Sequence, residues 1–375
     1  MNSIKFIYPS IVIALLISCG YDQQKPEFNN WLEQNRSTLA TSINYQLDSI
    51  CVLSDVLTID TIYRSMQGPY SRSTQIELSH IKSDLIWLTG YKCEVFDAAT
   101  EIKLDDEFLC HNNLNYNHPE AYPWKIKTLG SEKRIFTLTA GQTSINLPEG
   151  TGIPVKTEMG LSFFSQALNH NYNKISLDTY QKVTIYYLEN NDSTNKTTPL
   201  YAQTPFVTTK IGGPNGGFNE KTSERVAPAL MCGFDSAKTC HISFPSNAKY
   251  NPYRDDYGRT YNGHWDLDNG QQVFTTNITN MLNLLEQERI IAMGAHVHPF
   301  AISVELWDLT FNTKLSTLNV QNHRDKIGLN RIEFKTNLSI DLDTNRQYAL
   351  RTYYDCRDTI NKHTGMANLG LYLLE

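Results

Sequence analysis

"RIIAMGAHVHPFAISVELWDL", residues 289–309, alternates its apolar side chains on both sides of a Pro-Phe break. A period of two sends successive side chains to opposite faces of an extended chain, so the stretch reads as strand rather than helix. The same rhythm returns roughly every ten residues between turn formers. It is seen in "DLIWLTGYKCEVFDA" (84–98), "KRIFTLTAG" (133–141), "KVTIYYL" (182–188), "RIEFKTNLSI" (331–340), "QYALRTYYD" (347–355) and "LGLYLL" (369–374). Helical periodicity is confined to "TNMLNLLEQE" (279–288), enough for a turn or two. The pattern predicts an all-β protein of the jelly-roll or Greek-key sandwich kind.

The 375 residues exceed one typical core, which predicts two domains. The alternation breaks at "TKIGGPNGGFNEKTSE" (209–224), and a boundary there divides the chain into sandwiches over 51–212 and 218–375. A composition of 40% hydrophobic and 19% charged residues, with 21 Tyr and 15 Phe, excludes a disordered or fibrous protein. The net charge of -6, without a basic stripe interleaved with aromatics, gives no reason to expect nucleic acid as a partner.

"MNSIKFIYPSIVIALLISC" (1–19) has one basic residue, an apolar run from Phe6 to Ile17 and a small residue before Cys19. It reads as an export signal, too short to span a bilayer. Its end, "LISCG", resembles the lipobox of bacterial lipoproteins, which implies acylation at Cys19 and a lipid anchor on a cell-envelope membrane. Residues 20–50 are polar and read as a spacer. Export allows disulfides, and setting Cys19 aside leaves six cysteines. Cys232 and Cys240 are the easiest pair to join, and Cys93 with Cys110 is a second candidate.

His296 and His298 fall two apart on a strand, with Cα atoms roughly 7 Å apart and imidazoles on one face, a spacing that suits one metal ion. The same spacing also serves two hydrogen-bonded polar residues. Neither a Gly-rich phosphate loop nor a GxSxG or HExxH motif is present.

In order and spacing, "NGHWDLDNGQQVFTTNIT", "AMGAHVHPFAISVELWDLTFNTK", "GLNRIEFK" and "TGMANLGLYLL" resemble the C-terminal half of the copper type II, ascorbate-dependent monooxygenases. This is the family of peptidylglycine α-hydroxylating and dopamine β-monooxygenases and their bacterial relatives. The resemblance implies two tandem jelly-roll-like β-sandwich domains, and a copper held by His296, His298 and Met366 that activates O2. Two imidazoles and a soft thioether suit Cu(I), and three protein ligands leave a position open. It also implies a second, electron-supplying copper in the first domain. There "GYKCEVFDAATEIKLDDEFLCHNNLNY" and "GLSFFSQALNHNYN" place His111 and His170. Where the animal enzymes have adjacent histidines this chain has Cys110-His111, so His118 or His80 is needed to complete a three-histidine site. On this reading His264 either supports a metal ligand from behind or lies at the surface. The co-substrate would be ascorbate or another small reductant, and the substrate a small molecule or peptide. A non-catalytic copper-binding surface lipoprotein and a metal-free adhesive or glycan-binding sandwich are the competing functions.

Overall fold

The alternating segments become strands, and the strands form two jelly rolls. The structure, a computed structural model, describes residues 47–122, 134–191, 196–212, 251–255, 257–282 and 284–375. The export signal with Cys19, most of the spacer, and Cys232 and Cys240 lie outside these residues.

The first jelly roll takes its eight principal strands in chain order from Asp48–Leu53, Tyr70–Ile76, Leu85–Asp97, Leu109–Tyr116, Arg134–Leu138, Thr151–Lys156, Leu161–Ala167 and Leu177–Glu189. Counted in that order, one sheet runs first-eighth-third-sixth and the other second-seventh-fourth-fifth. The second jelly roll uses Thr198–Gln203, Gly270–Asn277, Glu288–Val297, Ala301–Asp308, Thr313–Asn322, Ile340–Leu342, Tyr348–Cys356 and Ala367–Leu374. Its two sheets repeat the same orders, with Leu329–Ile332 added beside its fifth strand. This is the sheet arrangement of two Greek keys folded into a jelly roll.

The halves share a sheet. Thr198–Gln203 pairs antiparallel with Ala367–Leu374 and parallel with Thr151–Lys156, which joins the first sheets of the two rolls into one of ten strands. The second roll therefore begins before the glycine-rich stretch, and Tyr45–Glu375 is one compact unit. Its core is continuous: Phe136 stacks on Tyr91 within the first roll and packs 5.7 Å from Tyr372 of the second. Each fully buried aromatic or aliphatic side chain of this kind contributes about 1.5–3 kcal/mol.

Two expectations shift at their margins. The first strand starts at Asp48, inside the predicted spacer, because Asp48–Leu53 completes the ladder along Leu177–Glu189. "RIEFKTNLSI" is only partly strand: after Ile332 the chain leaves the sheet, Lys335 bridges to Met293, and Phe334 packs against Tyr372. The predicted helical turn is Thr279–Leu282.

The Cys93–Cys110 disulfide is not formed; both are free thiols. Cys93 points into the core of the first roll, where its thiol donates to Gln181 Oε1. Cys110 lies in a separate apolar cluster with Met66 and Leu168. Burial pushes both thiols up, Cys110 to about 12, so both carry their proton at neutral pH in the metal-free chain.

Candidate functional site

Strand geometry divides Glu288–Val297 into two faces. Met293, Ala295 and Val297 enter the core of the second roll, which turns Gly294, His296 and His298 toward the first. Gln142 of the first roll meets this second face at Gly294, where a Cβ would stand 2.9 Å from its Nε2. His296 and His298 are 3% and 2% exposed, so the alternating pair lies at a buried junction.

From the opposite side comes His111. It follows a bulge: Leu109 pairs with Ala167 and His111 with Gln166, leaving Cys110 as the extra residue. The bulge carries Cys110 into its cluster with Met66 and frees His111 to stack on Phe164 at 5.4 Å. The His111 ring meets that of His296 edge-on at 5.7 Å.

His298 lies 6.0 Å from His296, and His264 lies 5.6 Å from His298. Four imidazoles, His111, His296, His298 and His264, thus cluster across both rolls, and His264 also acts on His111 and His296. Two imidazoles on one ion have ring centres roughly 5–6 Å apart, given metal–nitrogen bonds near 2 Å. Among the described residues no three His, Cys, Asp or Glu side chains already meet as an ion site, so the rings have the spacing but must rotate to converge.

The ring nitrogens carry the chemical information. His298 Nδ1 lies 3.0 Å from the Thr364 carbonyl, which can only accept, so Nδ1 carries the proton and Nε2 the lone pair. That Nε2 is buried without a hydrogen-bond partner, as are Nδ1 of His111 and Nδ1 of His296. An unpaired buried polar atom costs roughly 1–3 kcal/mol, and three at one junction fit a metal ion toward which each ring turns the lone pair of its neutral form. The carbonyl-held tautomer of His298 is the arrangement that orients metal-binding histidines. Burial holds His111 down to about 3, with Arg134 and the other imidazoles adding to it, and holds His296 and His298 well below the ordinary histidine value. All three rings are neutral at pH 7, the form that binds metal.

Met366 is anchored beside them. Its carbonyl accepts from the His298 N–H at 3.3 Å and from the Tyr354 hydroxyl at 2.5 Å, and its own N–H donates back to Tyr354. The turn after His298 passes through Phe300 at φ 74°, a left-handed conformation that costs a bulky residue backbone strain; the Asn322 side chain accepts its N–H at 2.7 Å. Phe300 packs at 4.7 Å on His363, whose Nε2 is 2.7 Å from Asp358.

His170, the expected partner of His111, lies 3.3 Å from Ser65 Oγ; burial, with His363 and Arg64 nearby, holds it down to about 3, and it acts in turn on His298. His118 and His80 do not complete a site with His111. His118 is 59% exposed and paired with Glu120, and His80 is exposed, because each sits in a surface turn.

A cavity of about 10 Å³, roughly the space of one water, borders His296 and His298 and is lined by Ser65, Cys110 and Leu168 of the first roll. The segment after Asn322 closes over it. Lys326 bonds both Asp105 and Glu107, and Asn171 exchanges two hydrogen bonds with the Ile327 backbone. Asp106, beside them, accepts from Gly141 N–H, and burial together with Asp105 raises it to about 6.

No family model matches the chain, and no curated protein does. Among solved structures it is similar to VP54 of PBCV-1, fitted into a reconstruction of the virophage Sputnik, at 7% identity and a TM-score of 0.31 over 89% of this chain and 96% of that one. A quasi-atomic PBCV-1 capsid is similar at 8% identity and a TM-score of 0.32 over 88% and 94%. The ANXUR2 extracellular domain of Arabidopsis thaliana follows at 8% and 0.19 over 86% and 89%. Likenesses this weak bear on neither family nor function.

Proposed function

We propose that the chain binds copper at the junction of its two jelly rolls and acts as a copper-dependent monooxygenase on a substrate C–H bond, with ascorbate or a similar small reductant. The observation that supports it is the set of three buried ring nitrogens, on His111, His296 and His298, that have no partner in the protein. Their chemistry fits copper: neutral imidazoles suit it in both oxidation states, and Met366, whose backbone bonds to His298, would add a soft thioether donor that favours Cu(I). Copper bound there would supply one-electron redox chemistry and O2 activation. The chain's own part is to hold His298 in one tautomer through Thr364, to keep the imidazoles unprotonated by burial, and to exclude bulk water with the segment around Lys326.

The reading extends to a lipid-anchored, exported protein through Cys19. Among the described residues no helix is long and apolar enough to cross a membrane.

A second reading is a non-catalytic copper-binding surface protein. The placement of His111 against His296 favours it, because a histidine expected in the electron-supplying site stands instead against a ligand of the other copper. Copper content of the detergent-solubilised chain and of His298→Ala, combined with ascorbate-dependent O2 consumption, distinguishes these readings. Copper lost with His298 and reductant-dependent turnover in the parent support the enzyme. Copper without turnover supports the binder, and a parent that takes up no copper removes both.

A further inference from the structure

We infer that His264 is a ligand of the same metal centre as His298, so that the centre of the second jelly roll is built from three imidazoles and the Met366 thioether. This rests on the copper reading above. The sequence alone leaves His264 as one histidine in a turn-rich stretch; the fold gives it a fixed place.

His264 is 7% exposed, and its ring centre lies 5.6 Å from that of His298 at an interplanar angle of 39°. Roughly 5–6 Å is the separation of imidazoles that share an ion. Its backbone is held on both sides. The Asn262 side chain accepts the His264 N–H at 3.0 Å, and Trp265, which follows it, begins a short strand paired with His363–Gly365. In that ribbon Trp265 lies opposite Gly365, and Asp266 opposite Thr364. Thr364 is the residue whose carbonyl orients the His298 ring.

The contact of Trp265 with Gly365 leaves no room for error. A Cβ at position 365 would stand 2.3 Å from the indole nitrogen, so only glycine allows the two strands this approach. Trp265 is fully buried, 4.7 Å from Phe274 and edge-on to Tyr354, and the Tyr354 hydroxyl holds the Met366 backbone. One packed unit therefore fixes His264, the orienting group of His298, and Met366 together. A surface histidine would need none of this.

The chemical consequence concerns oxidation state. Two imidazoles and a thioether favour Cu(I), whereas a third imidazole adds a harder nitrogen donor and improves the hold on Cu(II). His264 would thus keep copper bound through both states.

The test is to load the solubilised full chain with Cu(II) and count coordinated imidazoles by pulsed electron paramagnetic resonance, alongside competition titrations for Cu(I) and Cu(II). The expected result is at least three imidazoles on the parent and one fewer on His264→Ala, with Cu(II) affinity falling tenfold or more and Cu(I) affinity falling less. His363→Ala, in the same ribbon but bonded to Asp358, is expected to leave the imidazole count unchanged. Should His264→Ala fail to fold by circular dichroism, His264→Gln and the parent count carry the test. Copper bound by two or fewer imidazoles, or a count unchanged in a folded His264 variant, overturns the role of His264 while leaving the copper site standing. A parent without copper overturns the copper reading itself.

Discussion

The two jelly rolls place their third strands identically and use the backs of those strands differently. In the first roll, Leu85–Asp97 turns Tyr91, Cys93 and Val95 into the core, and its other face carries Lys92 and Glu94, bonded to each other and to Lys103 at the surface. In the second, Glu288–Val297 turns Met293, Ala295 and Val297 inward, and its other face presents His296 and His298 to a buried junction. Topology sets which face of a strand becomes core. What covers the opposite face decides whether it carries solvated ion pairs, worth little to stability, or desolvated imidazoles with unused lone pairs.

The largest test of the comparison asks whether the halves are separable. Phe136→Ala removes a ring packed on Tyr91 of its own roll and Tyr372 of the other. The expected loss is about 3–5 kcal/mol, with both rolls unfolding in a single denaturant transition monitored by fluorescence and circular dichroism. Two separated transitions would show that the shared sheet does not couple them.

Acid should act on the junction in the metal-free protein. His111, His296 and His298 have folded values far below the unfolded histidine value near 6.5, so between pH 6.5 and 4.5 the unfolded chain takes up three protons that the folded chain does not. Their stabilisation is complete above pH 6.5 and is lost as pH falls. Asp106, raised to about 6, works in the opposite sense, with one proton held by the folded state. His170, also held down to about 3, adds a fourth proton in the histidines' sense, and the net of three corresponds to roughly 4 kcal/mol per pH unit near pH 5. Urea midpoints at pH 7, 6 and 5 measure it, and replacing the three histidines with Gln should flatten the profile.

The thiols give a smaller effect. Cys110→Ala empties part of the cluster with Met66 and Leu168 and should cost about 1 kcal/mol. Because Cys93 and Cys110 are unpaired with each other, dithiothreitol should leave the melting temperature contributed by this region unchanged. A thiol reagent should reach both only on unfolding, which mass spectrometry can follow along a urea series. The smallest effect is expected at Lys326→Ala. It removes bonds to Asp105, which is 50% exposed, and to Glu107, for a loss below about 1 kcal/mol that shrinks further in high salt.

Much of this arrangement was legible beforehand. The period of two identified the strands, and the spacing of His296 and His298 put both on one face. Met366 was expected as a third ligand; the fold brings its backbone to the His298 N–H, and its part as a ligand belongs to the copper proposal. The rest depended on contacts between segments far apart in the chain. Adjacent Cys110 and His111 gave no sign that a bulge would send one to an apolar cluster and the other to the junction. His264 stood alone in a turn, and only its strand's pairing with His363–Gly365 brings it to His298. The glycine-rich stretch marked a break in composition, yet Thr198–Gln203, before it, already belongs to the second roll.

That strand has a consequence for how the sheet edges are protected. Pairing of Thr198 with Thr151 and of Pro199 with Gly152 withdraws part of an outer strand of the first roll from other chains, and the start of Thr198–Gln203 is covered in return. Open sheet edges are templates for aggregation. Each roll in this sense guards part of the other's edge, and either one expressed alone should aggregate more readily than the joined pair.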